Sequence, residues 1–128
     1  MHAPPPLLSG IAQIALASAD PGNLIAFYRD VLGFPVLFEA GPMTFFQSGA
    51  TRLMLHAAQP GQQIGGDAIV YFEPSDWSAA EAKLEAAGVI FLHRAEVVQR
   101  AEGRELMLRA FKDPEGHTLA LLGWRTGA

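Results

Sequence analysis

Apolar and polar positions in the first half of the chain predict a strand, a helix and three further strands. Residues 11–18 are dominated by apolar side chains and predict a strand. Asp20 and Pro21 offer a helix N-cap and a proline at the first helical position, and Gly33 is typical of a helix end. The apolar residues between them recur at helical spacing, at Leu24, Phe27, Tyr28, Val31 and Leu32. Three short strands are then expected at residues 35–40, 43–48 and 51–57.

The second half repeats this order. A strand is expected at residues 68–73, a helix from the Ser75-Asp76 cap to Gly88, and strands at 89–98, 105–112 and 118–123. The Gly-, Gln- and Pro-rich residues 58–66 predict a linker, and the proline-rich residues 1–10 predict a flexible N-terminus. We therefore expect one domain built from two modules, 11–57 and 67–124, whose sheets join around a concave surface suited to a small molecule.

Composition narrows the class of protein. Half of the residues are hydrophobic, 17% are charged and the formal net charge is −4, which is typical of a globular domain and makes nucleic acid an unexpected partner. There is no cysteine, so disulfides and thiolate chemistry are excluded. The sequence contains neither a membrane-length apolar run nor a signal-peptide pattern at its start, and it predicts a cytoplasmic protein without membrane contact.

Two motifs carry a resemblance to a known family. The first runs from Asp20 through Phe27-Tyr28 to Leu32-Gly33-Phe34, and the second is the Asp113-Pro114-Glu115-Gly116 turn before the apolar Leu119-Ala120-Leu121. The chain resembles the vicinal oxygen chelate superfamily, which includes glyoxalases, bleomycin resistance proteins and extradiol dioxygenases. The resemblance implies an α+β fold in which two βαβββ modules form a concave mixed sheet around a U-shaped pocket. It does not select one chemistry, because relatives use this scaffold for many.

The resemblance also implies where a metal would be bound in an enzyme of this family. The four ligand positions correspond to Gln13, to Met54 or His56, to Ile69 and to Ala120. Ile69 and Ala120 have no donor atom in their side chains, so we expect no complete metal site and no cofactor, with a divalent metal as the alternative.

Strand alternation assigns a pocket face. Ile14, Leu16, Val70, Phe72, Leu119 and Leu121 share one parity and are expected beneath the helices. The expected ligand-binding residues are Gln13, Met54, His56, Tyr71, Glu73, Glu105, Met107 and Trp124. Other interpretations are that His56 is a strand-end histidine, that Glu105 pairs with Arg109, and that Tyr71, His56 and Gln13 fill a closed core. Asp113, Glu115 and His117 could form an acid-base cluster, but their context favours a tight turn.

The sequence is compatible with two functional hypotheses. The first is a homodimeric protein that binds an apolar or aromatic small molecule without a metal. The second is an enzyme, either a glyoxalase-type lyase or an extradiol-type dioxygenase using a divalent metal, or an acid-base catalyst using His56 with Glu73 or Glu105.

Overall fold

The computed structural model describes residues 4–126. Residues 1–3, part of the predicted flexible N-terminus, lie outside this range, and residues 4–12 contain no helix or strand. The strands are β1 (Gln13–Ser18), β2 (Val36–Ala40), β3 (Met43–Ser48), β4 (Thr51–Ala57), β5 (Ile69–Phe72), β6 (Glu96–Ala101), β7 (Arg104–Lys112) and β8 (Thr118–Thr126). The helices are α1 (Pro21–Ala26), which continues into a π-helical turn (Phe27–Val31), and α2 (Trp77–Ala86). None of the described helices is long and apolar enough to span a membrane.

The strands form two four-stranded mixed sheets with the same topology. The first has the order β1-β4-β3-β2 and the second β5-β8-β7-β6. In each sheet the first strand of the module pairs in parallel with the last, and the other neighbours are antiparallel. The α+β class and the two βαβββ modules predicted from the sequence are thus confirmed. No strand ladder joins the two sheets within residues 4–126.

Side-chain caps start both helices. Asp20 accepts a hydrogen bond from the Asn23 amide at 3.4 Å, and Asp76 accepts one from the Ala79 amide at 2.9 Å. The first helix widens at its end, where the Leu32 amide donates to the Phe27 carbonyl at 3.0 Å, five residues back. Gly33 then adopts a φ of 83°, a conformation that side chains with a Cβ disfavour, and ends the helical segment.

The core is shared by the two modules. Its buried members come from the helical segments and from one face of each sheet, and they are Leu24, Phe27, Tyr28, Phe46, Leu53, Leu55, Leu84, Phe111, Leu119 and Leu121. Phe34 of the first module and Phe72 of the second place their ring centroids 5.1 Å apart. Ile14, Leu16 and Val70 pack against this core, as strand alternation predicted.

One predicted strand is misplaced. The sequence predicts a strand at residues 89–98, but β6 covers Glu96–Ala101. The apolar residues before β6 lie in a connection, where Phe91 forms an isolated bridge with Phe111. Val89 and Phe91 pack against the core from that connection, so their hydrophobicity reflects burial rather than strand pairing.

Candidate functional site

Each sheet has one face that packs on the helical segments and one that does not. On β4, Leu53 and Leu55 are in the core, so residues 52, 54 and 56 point to the opposite side. On β8, Leu119 and Leu121 are in the core, so residues 120, 122 and 124 point away from it. We call these opposite sides the first open face, on the sheet of β4, and the second open face, on the sheet of β8.

Three of the predicted ligand-binding residues lie together on the first open face. Met54 is in register with Ala15 on β1, and His56 with Ala17, while Gln13 is in register with Arg52. Gln13 is exposed, and Met54 and His56 are half-buried. His56 has its Nδ1 atom 3.1 Å from the Ala57 carbonyl oxygen. The structure therefore places these side chains on neighbouring strands of one surface.

An aromatic pair under an arginine completes the first open face. Phe38 on β2 stacks on Phe45 on β3, with ring centroids 4.4 Å apart and planes 19° apart. The guanidinium of Arg52 lies 5.2 Å from the Phe45 centroid and 5.8 Å from the Phe38 centroid. No carboxylate of the described residues forms a salt bridge with Arg52. Its N–H groups are thus available to a ligand while its flat side contacts the rings.

Sequence analysis missed this arginine and both rings. The signal for Arg52 was present, because it has the same parity as Met54 and His56 on β4. Phe38 could not be assigned in this way, because a register shift between Val36 and Phe38 interrupts the alternation of β2.

Two more predicted residues lie on the second open face. Tyr71 is in register with Ala120 and is 50% exposed. Trp124 is in register with Leu106, is 39% exposed, and has the guanidinium of Arg104 4.7 Å from its ring. The second open face therefore also carries aromatic side chains in contact with solvent.

Met107 and Glu105 do not lie on the second open face, which corrects their assignment. Met107 is in register with Gly123, where an added Cβ would come within 3.2 Å of Pro74, so this side of the sheet packs on the start of α2. Met107 is accordingly buried. Glu105 has the same parity and forms salt bridges with Arg100 and Arg125, each at 3.1 Å.

The charged side chains of Glu105 and Arg109 on β7 form ion pairs within the protein. Desolvation opposes ionisation of Glu105, but hydrogen bonds from Arg100 and Arg125 outweigh it and hold the pKa of this carboxyl below its ordinary value. Arg109 does not pair with Glu105, because its guanidinium reaches Glu81 on α2 at 2.6 Å. The predicted pairing of Glu105 with Arg109 is wrong.

Glu73 lies just past the end of β5, in a groove that Tyr71 does not line. It is exposed and lines a groove between the π-helical turn and α2, where Phe34 and Lys83 form part of the wall. The acid-base combination of His56 with Glu73 or Glu105 has no geometric support, because neither carboxylate shares a hydrogen bond or an ion pair with His56 among the described residues.

The Asp113 turn forms as expected and also joins the modules. Oδ1 of Asp113 accepts hydrogen bonds from the Glu115 and His117 amides, each at 3.0 Å, and Oδ2 accepts from the Tyr28 hydroxyl at 2.8 Å. His117 places Nδ1 2.7 Å from Oδ2. Burial, then the charge of Asp113 and the hydrogen bond to it, raise the pKa of Tyr28 well above its ordinary value.

Glu115 connects the turn to the first module by hydrogen bonds. Its carboxylate accepts hydrogen bonds from the Ser18 hydroxyl and, at 2.7 Å, from the Ala19 amide. The tight turn that the sequence context favoured thus contains Asp113, Glu115 and His117. The contacts to Tyr28 and Ser18 could not be read from one module alone.

The residues present do not fit the metal site that the fold family implies. Ile69 and Ala120, in register with Thr118 and Tyr71, contribute only hydrocarbon side chains to the second open face. Within residues 4–126, no group of three or more His, Cys, Asp or Glu side chains is close enough to hold a metal ion.

Comparison with known proteins places the chain in a family. The family model described as Glyoxalase/Bleomycin resistance protein/Dioxygenase superfamily matches residues 10–121. No curated protein sequence matches. Three similar solved structures are a lactoylglutathione lyase from Agrobacterium tumefaciens, a putative glyoxalase family protein from Bacillus anthracis and a member of the same superfamily from Sphaerobacter thermophilus.

These structures share the fold at low sequence identity. The Agrobacterium enzyme is 23% identical, with a TM-score of 0.69, and the match covers 92% of this chain and 96% of the enzyme. The Bacillus protein is 13% identical, with a TM-score of 0.78 and coverage of 94% and 98%. The Sphaerobacter protein is 19% identical, with a TM-score of 0.74 and coverage of 91% and 98%. The chain, by its family match and its paired βαβββ modules, belongs to the Glyoxalase/Bleomycin resistance protein/Dioxygenase superfamily.

Proposed function

We propose that the protein binds a small apolar or aromatic molecule against its open faces, without a bound catalytic metal. One observation carries the proposal. Three aromatic side chains are more than a third exposed among the described residues, and all three lie on open faces: Phe38 at 45%, Tyr71 at 50% and Trp124 at 39%. Exposed aromatic side chains concentrated on particular surfaces are typical of binding sites rather than of a solvated sheet.

Polar groups beside these rings would orient the ligand. Gln13 and His56 lie on the same face as Phe38 and can donate or accept hydrogen bonds. Arg52 offers N–H donors above the Phe38-Phe45 stack. A surface that is mostly apolar with a few convergent polar groups is the usual composition of a small-molecule site.

Calorimetric titration with 2-naphthalenemethanol tests the proposal. We expect saturable binding to the wild-type protein, and we expect Phe38→Ala and Tyr71→Ala to weaken it. Ile90→Ala is the matched control, because Ile90 is an exposed apolar residue in the connection before β6. Absence of binding, or equal losses in all three variants, would contradict a site on the open faces.

We also propose that the protein is a homodimer, in which a second copy covers part of the open faces. The outermost strand β2 exposes Val36, Leu37 and Phe38, and an apolar edge strand of this kind favours association with another chain. Sedimentation at micromolar concentration should give twice the mass of one chain, and Leu37→Lys should shift it toward the monomer while Ile90→Lys should not. A monomer mass for the wild-type protein would overturn this proposal.

The cytoplasmic location remains a prediction from the sequence.

The enzymatic alternative has less support. The Agrobacterium relative is a lactoylglutathione lyase, but the likeness at 23% identity concerns the fold alone. A metal-dependent mechanism would need donor atoms at Ile69 and Ala120, and the side chains there have none. No reaction step is therefore assigned to the open faces.

A further inference from the structure

A cavity separate from the exposed aromatic side chains lies between the two modules. It has a volume of about 370 Å³, within the range of roughly 300–1,000 Å³ usual for small-molecule sites. One wall is formed by residues 14–17 of β1, and the facing wall includes Val70 of β5 and His117. Gln62, Gln63 and Asp67 of the connection between the modules and His56 of β4 also line the cavity.

The cavity lies where both sheets end. β1 pairs only with β4, and β5 pairs only with β8, so each has an edge without a partner strand within the described residues. Such edges carry backbone N–H and C=O groups that need hydrogen-bond partners. Between these polar edges, Ile14, Leu16 and Val70 contribute apolar surface.

His117 is the unusual group in the cavity wall. Only 5% of His117 is exposed, and its Nε2 atom has no hydrogen-bond partner among the described residues. Buried polar atoms of folded proteins nearly always have a partner, so an unpaired ring nitrogen beside a cavity points to a bound group.

The other ring nitrogen determines what kind of partner Nε2 requires. Asp113 accepts hydrogen bonds from the Tyr28 hydroxyl and from the Glu115 and His117 amides, which marks it as a carboxylate that donates nothing. Nδ1 of His117, 2.7 Å from Oδ2, must therefore carry the proton. In the neutral ring Nε2 is then an acceptor, and its partner has to be a donor.

We propose that the cavity between the modules binds a small uncharged molecule with a hydroxyl group, of the phenol class, which donates a hydrogen bond to Nε2 of His117. Ile14, Leu16 and Val70 provide apolar surface for an uncharged ring, and the acidic Asp67 in the lining disfavours an anion. The site adjoins the first open face, because His56 belongs to both, but none of the exposed aromatic side chains lines it. It also gives His117 a role beyond its place in the turn.

Phenol and toluene provide a matched pair of probes, because they differ only in the donor group. Calorimetry with the full chain should show phenol binding roughly tenfold more tightly than toluene. In ¹⁵N spectra of the histidine rings, phenol should shift the Nε2 resonance of His117. The Nε2 resonance of His93, which already accepts a hydrogen bond from the Ala110 amide at 3.0 Å, should stay in place. Equal affinities, or an unchanged His117 resonance, would overturn the proposal.

A substitution provides a second test. His117→Phe keeps a ring of similar shape and removes Nε2, so phenol should lose its advantage over toluene, while His93→Phe should keep it. If His117→Phe fails to fold, the ring spectra of the wild-type protein decide the matter. Phenol that shifts resonances of Tyr71 and leaves His117 unchanged would contradict this cavity site while supporting the open faces, so the two proposals can fail separately.

Discussion

The hydroxyl of Tyr28 donates a hydrogen bond of 2.8 Å to Asp113, a residue 85 positions further along the chain. Tyr28 belongs to the π-helical turn of the first module and Asp113 to the turn that ends β7 in the second. Both side chains are buried, so the bond joins the modules inside the shared core. Hydrogen bonds to a buried charge contribute more to stability than neutral ones.

Tyr28→Phe should destabilise the protein at neutral pH and change its response to alkali. Loss of a hydrogen bond to a carboxylate lowers the free energy of unfolding by roughly 1.5–3 kcal/mol. Because the folded-state pKa of Tyr28 is raised, the stability linked to this group is fully present below its unfolded pKa of about 10 and is lost as the pH rises above it. Urea unfolding across this range should show a decline in the wild-type protein that Tyr28→Phe lessens.

Tyr71→Phe is the control for that experiment, because Tyr71 is half exposed on the second open face. Its unfolding free energy should change by less than about 0.5 kcal/mol. The alkaline decline should match that of the wild-type protein. Identical pH profiles for Tyr28→Phe and the wild-type protein would show that the buried hydroxyl does not contribute.

Much of the fold could be predicted because the local signals agree with the final structure. Asp20 and Asp76 cap the two helices, and the helical spacing that begins at Leu24 identifies the buried stripe of the first. Strands β3 and β4 occupy the predicted residues because glycine-containing turns bound them on both sides. The repeated order of strand, helix and three strands predicted the two modules, and the family motifs supported their pairing.

The candidate site was harder to predict, because alternation fails where both sides of a strand are apolar. On β7, Leu106 and Leu108 share one parity and Met107 and Phe111 the other, so hydrophobicity does not say which side faces α2. The structure shows that the Met107 side does. A strand flanked on both faces by apolar groups requires the register with its neighbours before its side chains can be assigned.

Metal content is a direct test of the proposed absence of a catalytic metal. After dialysis without added metal, elemental analysis should find far less than one equivalent of nickel, zinc or iron per chain, because Ile69 and Ala120 provide no donor atoms. Chelator treatment should leave the thermal midpoint unchanged. One equivalent that survives dialysis and disappears in Gln13→Ala would favour the enzymatic alternative.

Replacement of open-face residues should separate binding from folding. Tyr71→Ala and His56→Ala remove side chains that are not part of the shared core, so each should change the free energy of unfolding by about 1 kcal/mol or less. Phe46→Ala, at a fully buried position of the same sheet as His56, should cost about 3–5 kcal/mol. Affinity for 2-naphthalenemethanol should fall in the first two variants. Large stability losses there with unchanged affinity would instead identify a closed core.

Arg52 should give the first open face a preference for aromatic ligands that carry a carboxylate. Its guanidinium lies over Phe38 and Phe45, and none of the salt bridges among the described residues involves it. A ligand ring that contacts the exposed edge of Phe38 would bring a carboxylate within reach of the N–H groups of Arg52. We therefore expect 2-naphthoate to bind more tightly than the neutral 2-naphthalenemethanol, by roughly two- to fivefold because exposed ion pairs contribute up to about 1 kcal/mol.

Arg52→Met should remove this difference in affinity, and added salt should reduce it in the wild-type protein. Arg94→Met, at an exposed position in the connection before β6, should leave it unchanged. Equal affinities of the two ligands for the wild-type protein would mean that Arg52 only covers the rings, while binding of neither would count against the open face itself.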